Sequence, residues 1–202
     1  MRVLIVTSVQ AEHDAIAAAL PSGADVHVLV GGVGPAASAA ATSAALKGID
    51  LVLCAGIGGA FGPLSAGDVA VASSIVFADL GAETADGFVP VSQLGFGGER
   101  YEVAPKLAVE LTDRTGGHLG TVLTVATVTG TARTAAARSA RFPDAVAEGM
   151  EGAGVAAAAA VHGVAFGEVR AISNAVGPRN RDAWQIPLAL RSLGRAMAAV
   201  TA

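Results

Sequence analysis

The chain predicts a single α/β domain, a three-layer sandwich in which helices cover both faces of a mixed central sheet. Three observations carry that prediction. β-Branched runs alternate with Ala-rich segments along the whole length. Several of those runs are apolar without alternation, as strands covered on both faces are. No fixed-period repeat, heptad pattern or low-complexity linker divides the 202 residues, so residues 1–202 are expected to form one domain.

Taken in order, Val3–Val6 reads as a first strand and Ala11–Leu20 as a helix with Glu12 near its start. Val26–Val30 is a second strand, turning through Gly31-Gly-Val-Gly-Pro35 into a helix over Pro35–Leu46, with proline where a first helical turn tolerates it. Leu51–Ala55 is a third strand. The following Ala55-Gly-Ile-Gly-Gly-Ala-Phe-Gly62 reads as a glycine-rich turn whose bare backbone lets a ligand lie close, with Phe61 as an apolar wall. Val69–Val76 is another strand. Gly81–Arg100 lacks periodicity and carries Asp86-Gly87, so it reads as a long loop that covers a site or meets another subunit. Helices over Pro105–Thr115, Thr131–Arg141, Glu151–His162 and Pro187–Val200 alternate with strands over Thr121–Val128 and Val164–Ile172.

Composition narrows the function classes. The formal charge is −4 and no Lys/Arg run is interleaved with aromatics, which disfavours nucleic acid as a partner. The longest apolar stretch, Gly152–Val161, is half of the ~20 residues that cross a bilayer, and the N-terminus lacks a secretory pattern. A soluble cytoplasmic protein without membrane contact is expected. Cys54, the lone cysteine, sits in an apolar strand and reads as packing.

Neither glycine segment carries the Lys-Ser/Thr of a polyphosphate site, and Gly31–Pro35 lacks the dinucleotide spacing, although it suits an anion or a plain structural turn. His13, His27, His118 and His162 are scattered and no nucleophile elbow is present, so no metal or organic cofactor is expected. The ionisable candidates at element ends are Glu12, Asp68, Asp79 and Glu151, with Arg179 and Arg181 in a late loop. Met150-Glu151 precedes the small-residue run Ala156–Val161. A carboxylate there can accept the free N–H groups of a helix start and still face a ligand, or merely favour the helix. Val169–Ile172 runs into Ser173-Asn174 and delivers an amide to a strand-end crevice, unless Asn174 only caps the turn into Gly177.

Several spaced motifs then occur in one order: Arg2–Val6 leading to Glu12, Gly32-Val-Gly34, Ala55–Gly59 with Gly67-Asp68, Gly149-Met-Glu-Gly152, and Arg170-Ala-Ile-Ser-Asn174. Over nearly the whole chain this set resembles the purine nucleoside phosphorylase and nucleosidase superfamily, and within it the futalosine hydrolase family. The resemblance implies a nucleoside phosphorylase-like fold and hydrolysis of an N-glycosidic bond, releasing hypoxanthine from futalosine in menaquinone biosynthesis. It implies that Glu12 orders or activates water, and that Met150 and Glu151 hold the ribose. Gly56, Ile57, Gly58 and Gly59, with Val128 and Thr129, would line the sugar and base, and at least a homodimer would form. Where adenine nucleosidases end the last motif in Asp, this chain has Asn174, which can donate to N7 or O6 of a 6-oxopurine but cannot transfer a proton as an acid does. The loop Gly177–Trp184 adds Arg179, Arg181 and Trp184, suited to the carboxylated aromatic group at the 5′ end of futalosine or, alternatively, to a solvated loop with an internal pair to Asp182. A phosphorolytic enzyme, a nicotinamide oxidoreductase and a nonenzymatic nucleoside-binding module are the rival readings.

Overall fold

The computed structural model describes residues 1–202. The elements are β1 (Val3–Thr7), α1 (Gln10–Ala17), β2 (Val26–Val30), α2 (Pro35–Ala45), β3 (Leu51–Ala60), β4 (Val69–Phe77), β5 (Gly81–Thr84) and β6 (Gly87–Pro90). There follow β7 (Arg100–Glu102), α3 (Pro105–Thr115), β8 (His118–Thr124), α4 (Ala132–Arg141), β9 (Ala145–Gly149), α5 (Gly152–His162), β10 (Ala165–Ala175), a 3₁₀ turn at Arg181–Ala183 and α6 (Ile186–Thr201). The expected mixed α/β architecture is present: β1, β2, β3 and β10 run parallel, whereas β4 is antiparallel to β10 and β9 antiparallel to β3. No helix is long and apolar enough to cross a membrane.

The strand order is β10-β4-β8-β9-β3-β1-β2, and β10 also pairs with β3. The ladder from β3 through β10, β4, β8 and β9 therefore returns to β3. A cluster drawn from these five strands uses Ala60, Ala70, Ala72, Val122, Ala147 and Ile172, which is where much of the small-residue composition sits. Larger side chains pack against α1, α3 and α6 in a second cluster that includes Ile5, Ile16, Leu53, Leu111, Leu193 and Met197. Leu4, Val52 and Cys54 meet Val155 and Ala159 of α5 in a third.

Five sequence expectations change. The glycine segment after Ala55 is not a turn: Gly56–Ala60 continue β3 to ten residues. Glycine is needed there because a Cβ at Gly56 would come 2.7 Å from Glu12 Oε1, and one at Gly58 2.8 Å from the Glu148 carbonyl. Gly81–Arg100 is not wholly loop, since β5 and β6 form a hairpin closed at Gly87, whose φ of 123° suits glycine. β9 was hidden because its five residues, Ala-Val-Ala-Glu-Gly, hold a single β-branched side chain and no β-branched run. β8 stops at Thr124, leaving Val128 and Thr129 on a loop. Asn174 lies within β10 rather than beyond it, after a bulge between Ile172 and Asn174.

Candidate active site

The strand exchange beside β3 creates the site. β1 pairs with β3 only as far as Cys54, and β9 joins only at Gly59. The backbone of Ile57, between them, takes side-chain partners instead: its N–H donates to Glu12 Oε1 (2.8 Å) and its carbonyl accepts from Arg170 Nη1 (3.4 Å). Ligands commonly bind where strand partners change. Here a cavity of about 290 Å³ opens, with Ser8, Val9, Glu12, Val33, Ile57, Val128, Asn174, Val176, Arg179 and Trp184 among its lining residues.

Glu12 reaches the cavity from the first turn of α1 and is 2% exposed. Its Oε2 accepts from the Ser8 N–H (2.9 Å), the Ser8 hydroxyl (2.6 Å) and the Val9 N–H (3.3 Å). Oε1 has only the Ile57 N–H, which leaves a lone pair for another donor.

Glu151, the N-cap of α5, does not cap its own helix with its carboxylate. Oε1 accepts from the Gly34 N–H (3.3 Å), and Oε2 from the Met150 N–H (3.3 Å) and Arg170 Nη2 (3.0 Å). The Thr124 hydroxyl accepts the Ala153 N–H instead, and Ser38 donates to the Glu151 carbonyl. The Gly31–Pro35 segment, with Gly32 and Gly34 at φ of 85° and 90°, therefore serves to bring a backbone N–H onto Glu151.

Arg170 ties Glu151 to a third buried carboxylate, Glu168. It is 2% exposed, donates through Nε to Glu168 Oε1 (2.7 Å) and through Nη2 to both Glu151 and Cys54 Sγ (3.3 Å). Burial opposes its charge, but Cys54, Glu168, Glu151 and Glu12, in that order, outweigh the penalty and hold the guanidinium well above its ordinary pKa. Burial likewise pushes the Cys54 thiol well up, so the sulfur is a neutral acceptor and not simply packing.

Asn174 also lines the cavity. Its Oδ1 accepts from Ser173 (2.7 Å) and its Nδ2 donates to the Ala175 carbonyl (2.9 Å), leaving one amide hydrogen unused. Glu12, Ile57, Gly58, Gly59, Val128, Thr129, Met150, Glu151, Asn174, Arg179 and Trp184 thus meet around one cavity. Gly56 and Arg181, the latter on the 3₁₀ turn, are not among the lining residues. Both Arg179 and Arg181 place their guanidinium near the Trp184 ring, at 5.8 and 5.9 Å from its centroid. Asp68 accepts from Ser65, and Asp79 accepts from Ala126 and Thr127, both away from the cavity. No three His, Cys, Asp or Glu side chains converge as a metal-binding group.

Ser8, Glu148, Arg170 and Ser173 also line the cavity, though sequence reasoning assigned them no role. For Arg170 a signal existed: Glu168 and Arg170, two apart in an apolar strand, must share a face. For Glu148 the unrecognised strand concealed it.

Residues 7–202 match the phosphorylase superfamily. The futalosine hydrolase of Streptomyces coelicolor is 48% identical over 96% of this chain and 92% of its own length. That of Acidothermus cellulolyticus is 47% identical over 98% and 90%. The fold is shared with the Helicobacter pylori futalosine hydrolase (TM-score 0.84, 17% identity, 99% and 97% covered). It is shared equally with the Neisseria meningitidis 5′-methylthioadenosine/S-adenosylhomocysteine nucleosidase in complex with methylthio-immucillin-A (0.84, 17%, 98% and 97%). With its order of motifs, its sheet closed on β3 and its full-length relatives, the chain belongs to the phosphorylase superfamily, in the family of the futalosine hydrolases.

Proposed function

We propose that the protein hydrolyses the N-glycosidic bond of futalosine, releasing hypoxanthine and dehypoxanthine futalosine in menaquinone biosynthesis. The observation that carries this reading is the convergence of Glu12, Glu151 and Asn174 on one cavity in a chain nearly half identical to two futalosine hydrolases. As the bond lengthens, positive charge develops on the ribose and negative charge on the departing purine. Glu12 Oε1 positions water at the sugar and accepts its proton. Glu151, oriented by Arg170 and Gly34, accepts the ribose hydroxyls over Met150. The unused amide hydrogen of Asn174 stabilises the purine anion at N7 or O6 without transferring its proton, and the departing base takes its proton from solvent to leave as hypoxanthine. At the 5′ end, Arg179 pairs with the substrate carboxylate and Trp184 meets its ring, while Arg181 stiffens the loop from outside.

The reaction takes place in the cytoplasm, in at least a homodimer. Exposed Leu80, Phe88, Leu94 and Phe96 gather on and beside the β5–β6 segment and support an interface there. Purified protein incubated with futalosine in phosphate-free buffer is expected to release hypoxanthine, measured by liquid chromatography. Base release that requires added phosphate would replace hydrolysis by phosphorolysis. Tight binding without release would leave a binding module.

A further inference from the structure

Glu148 is a buried carboxylate on the cavity wall that the proposed reaction does not use, with 6% of its surface exposed. Its neighbours are specific. Oε1 accepts from the Thr129 N–H (2.8 Å), and Oε2 accepts from the Thr129 hydroxyl (2.6 Å) and from Arg138, which forms an ion pair with it. Three donors fill three of roughly four acceptor positions of a carboxylate, so Oε1 keeps one toward the cavity. The same bonds consume the nearby donors: the Thr129 N–H and hydroxyl both point at Glu148. This stretch of wall therefore offers an acceptor.

Position relates this acceptor to Asn174. Glu148 on β9 and Asn174 on β10 are both register partners of Gly59 on β3. Cross-strand partners point to one face of a sheet, and two strand spacings separate the outer pair by roughly 10 Å. Between them Gly59 carries no side chain, and the place a Cβ would take is closed by Val176 Cγ2 at 2.8 Å and Asn174 Nδ2 at 3.4 Å. A flat bicyclic base in the cavity beside Gly59 and Val176 is thus bracketed by an amide donor on one side and a carboxylate acceptor on the other.

The geometry points to Glu148 as the residue that selects a 6-oxopurine, by accepting the base's N1–H while Asn174 donates to N7 or O6. This rests on the purine-nucleoside reading above. Hypoxanthine presents acceptors at N7 and O6 and a donor at N1. Adenine reverses the last two, so its N1 lone pair would face the carboxylate with no donor left to meet it. Arg138 and Thr129 hold Glu148 in place, and Asp79 holds the 126–127 end of the same loop through the Ala126 and Thr127 N–H groups.

The test compares kcat/KM for futalosine and its 6-amino counterpart, which differ only at the base, in the wild type and Glu148→Gln. The wild type should strongly prefer the 6-oxo nucleoside. The Gln amide can turn either its oxygen or its nitrogen to N1, so Glu148→Gln should lower futalosine turnover about 10- to 100-fold and shrink the preference at least about tenfold. Equal losses on both nucleosides would reduce Glu148 to a support for the Thr129 loop and overturn the assignment. A second measurement needs neither turnover nor a variant: calorimetry of hypoxanthine, 1-methylhypoxanthine and adenine with wild-type protein. Hypoxanthine should bind at least about tenfold more tightly than either of the others. Equal affinity for all three, or no base binding, overturns the assignment. If no nucleoside is cleaved but this order of affinities holds, hydrolysis falls and Glu148 stands.

Discussion

Glu12 and Glu168 are both buried acids, yet their surroundings prepare them for different work. Glu12 accepts four hydrogen bonds from protein donors. Glu168 has Oε2 without any partner, against Gly152, where a Cβ would collide with the carboxylate. Replacing Glu12 by Gln turns an amide N–H₂ toward Ser8 and Val9 donors, so some loss of stability, about 1–3 kcal/mol, accompanies the loss of a proton acceptor. Futalosine turnover at saturation should fall ~10²–10⁴-fold in the fraction shown to be folded by circular dichroism. Wild-type turnover would remove Glu12 from the chemistry. Burial raises the Glu168 pKa despite the opposing pull of Arg170. A carboxyl whose folded-state pKa is raised contributes stability that is complete below its unfolded pKa and is lost as pH rises through the folded one. Glu168→Gln does not titrate, so its thermal midpoint should gain on that of the wild type as pH rises from about 4. A constant difference across that range would mean that Glu168 has its ordinary pKa in the fold.

At the scale of elements, the site depends on how closely α5 approaches α2. Gly154 of α5 lies against the Pro35 carbonyl and the Ser38 hydroxyl of α2, so closely that a Cβ would overlap both. In an open helix Gly→Ala gains up to about 1 kcal/mol. Here overpacking at about 1–3 kcal/mol opposes and exceeds that gain, so Gly154→Ala should lower the urea midpoint. It should also loosen the Gly34–Glu151 contact, because Pro35 follows Gly34 directly. Gly130→Ala meets nothing within 4 Å and serves as the control, with a change within about 0.5 kcal/mol. A stabilised Gly154→Ala would show that the two helices can separate without cost.

At the scale of the whole molecule, the unanswered surface is the one carrying Phe88, Leu94 and Phe96, the last 81% exposed. Isolated exposed apolar residues are ordinary, but these lie within one short segment of the chain, and burying them in a second copy would remove an apolar patch from water. Light scattering is expected to give at least a dimer, and Phe96→Asp to shift it toward monomer. A monomeric wild type at assay concentrations would reject the interface.

Much of the architecture was legible because its signals are local. Apolar β-branched runs marked most of the long strands, and prolines marked the starts of α2, α3 and α6 to within a residue. Glu12, Met150-Glu151 and Asn174 stood at element ends in a recognisable order. What the sequence did not disclose depends on pairing between distant segments. Gly56–Gly59 are composed like a turn, and only Glu12, Arg170, Glu148 and Val176 crowding against them explain why glycine is required in an extended strand. β9, with a single β-branched residue, does not announce itself, yet its pairing with Gly59 sets Glu148 opposite Asn174. Local propensity and periodicity specify elements one at a time, whereas the sheet's closure on β3 decides which buried charges meet, because that register exists only when all five ring strands are in place.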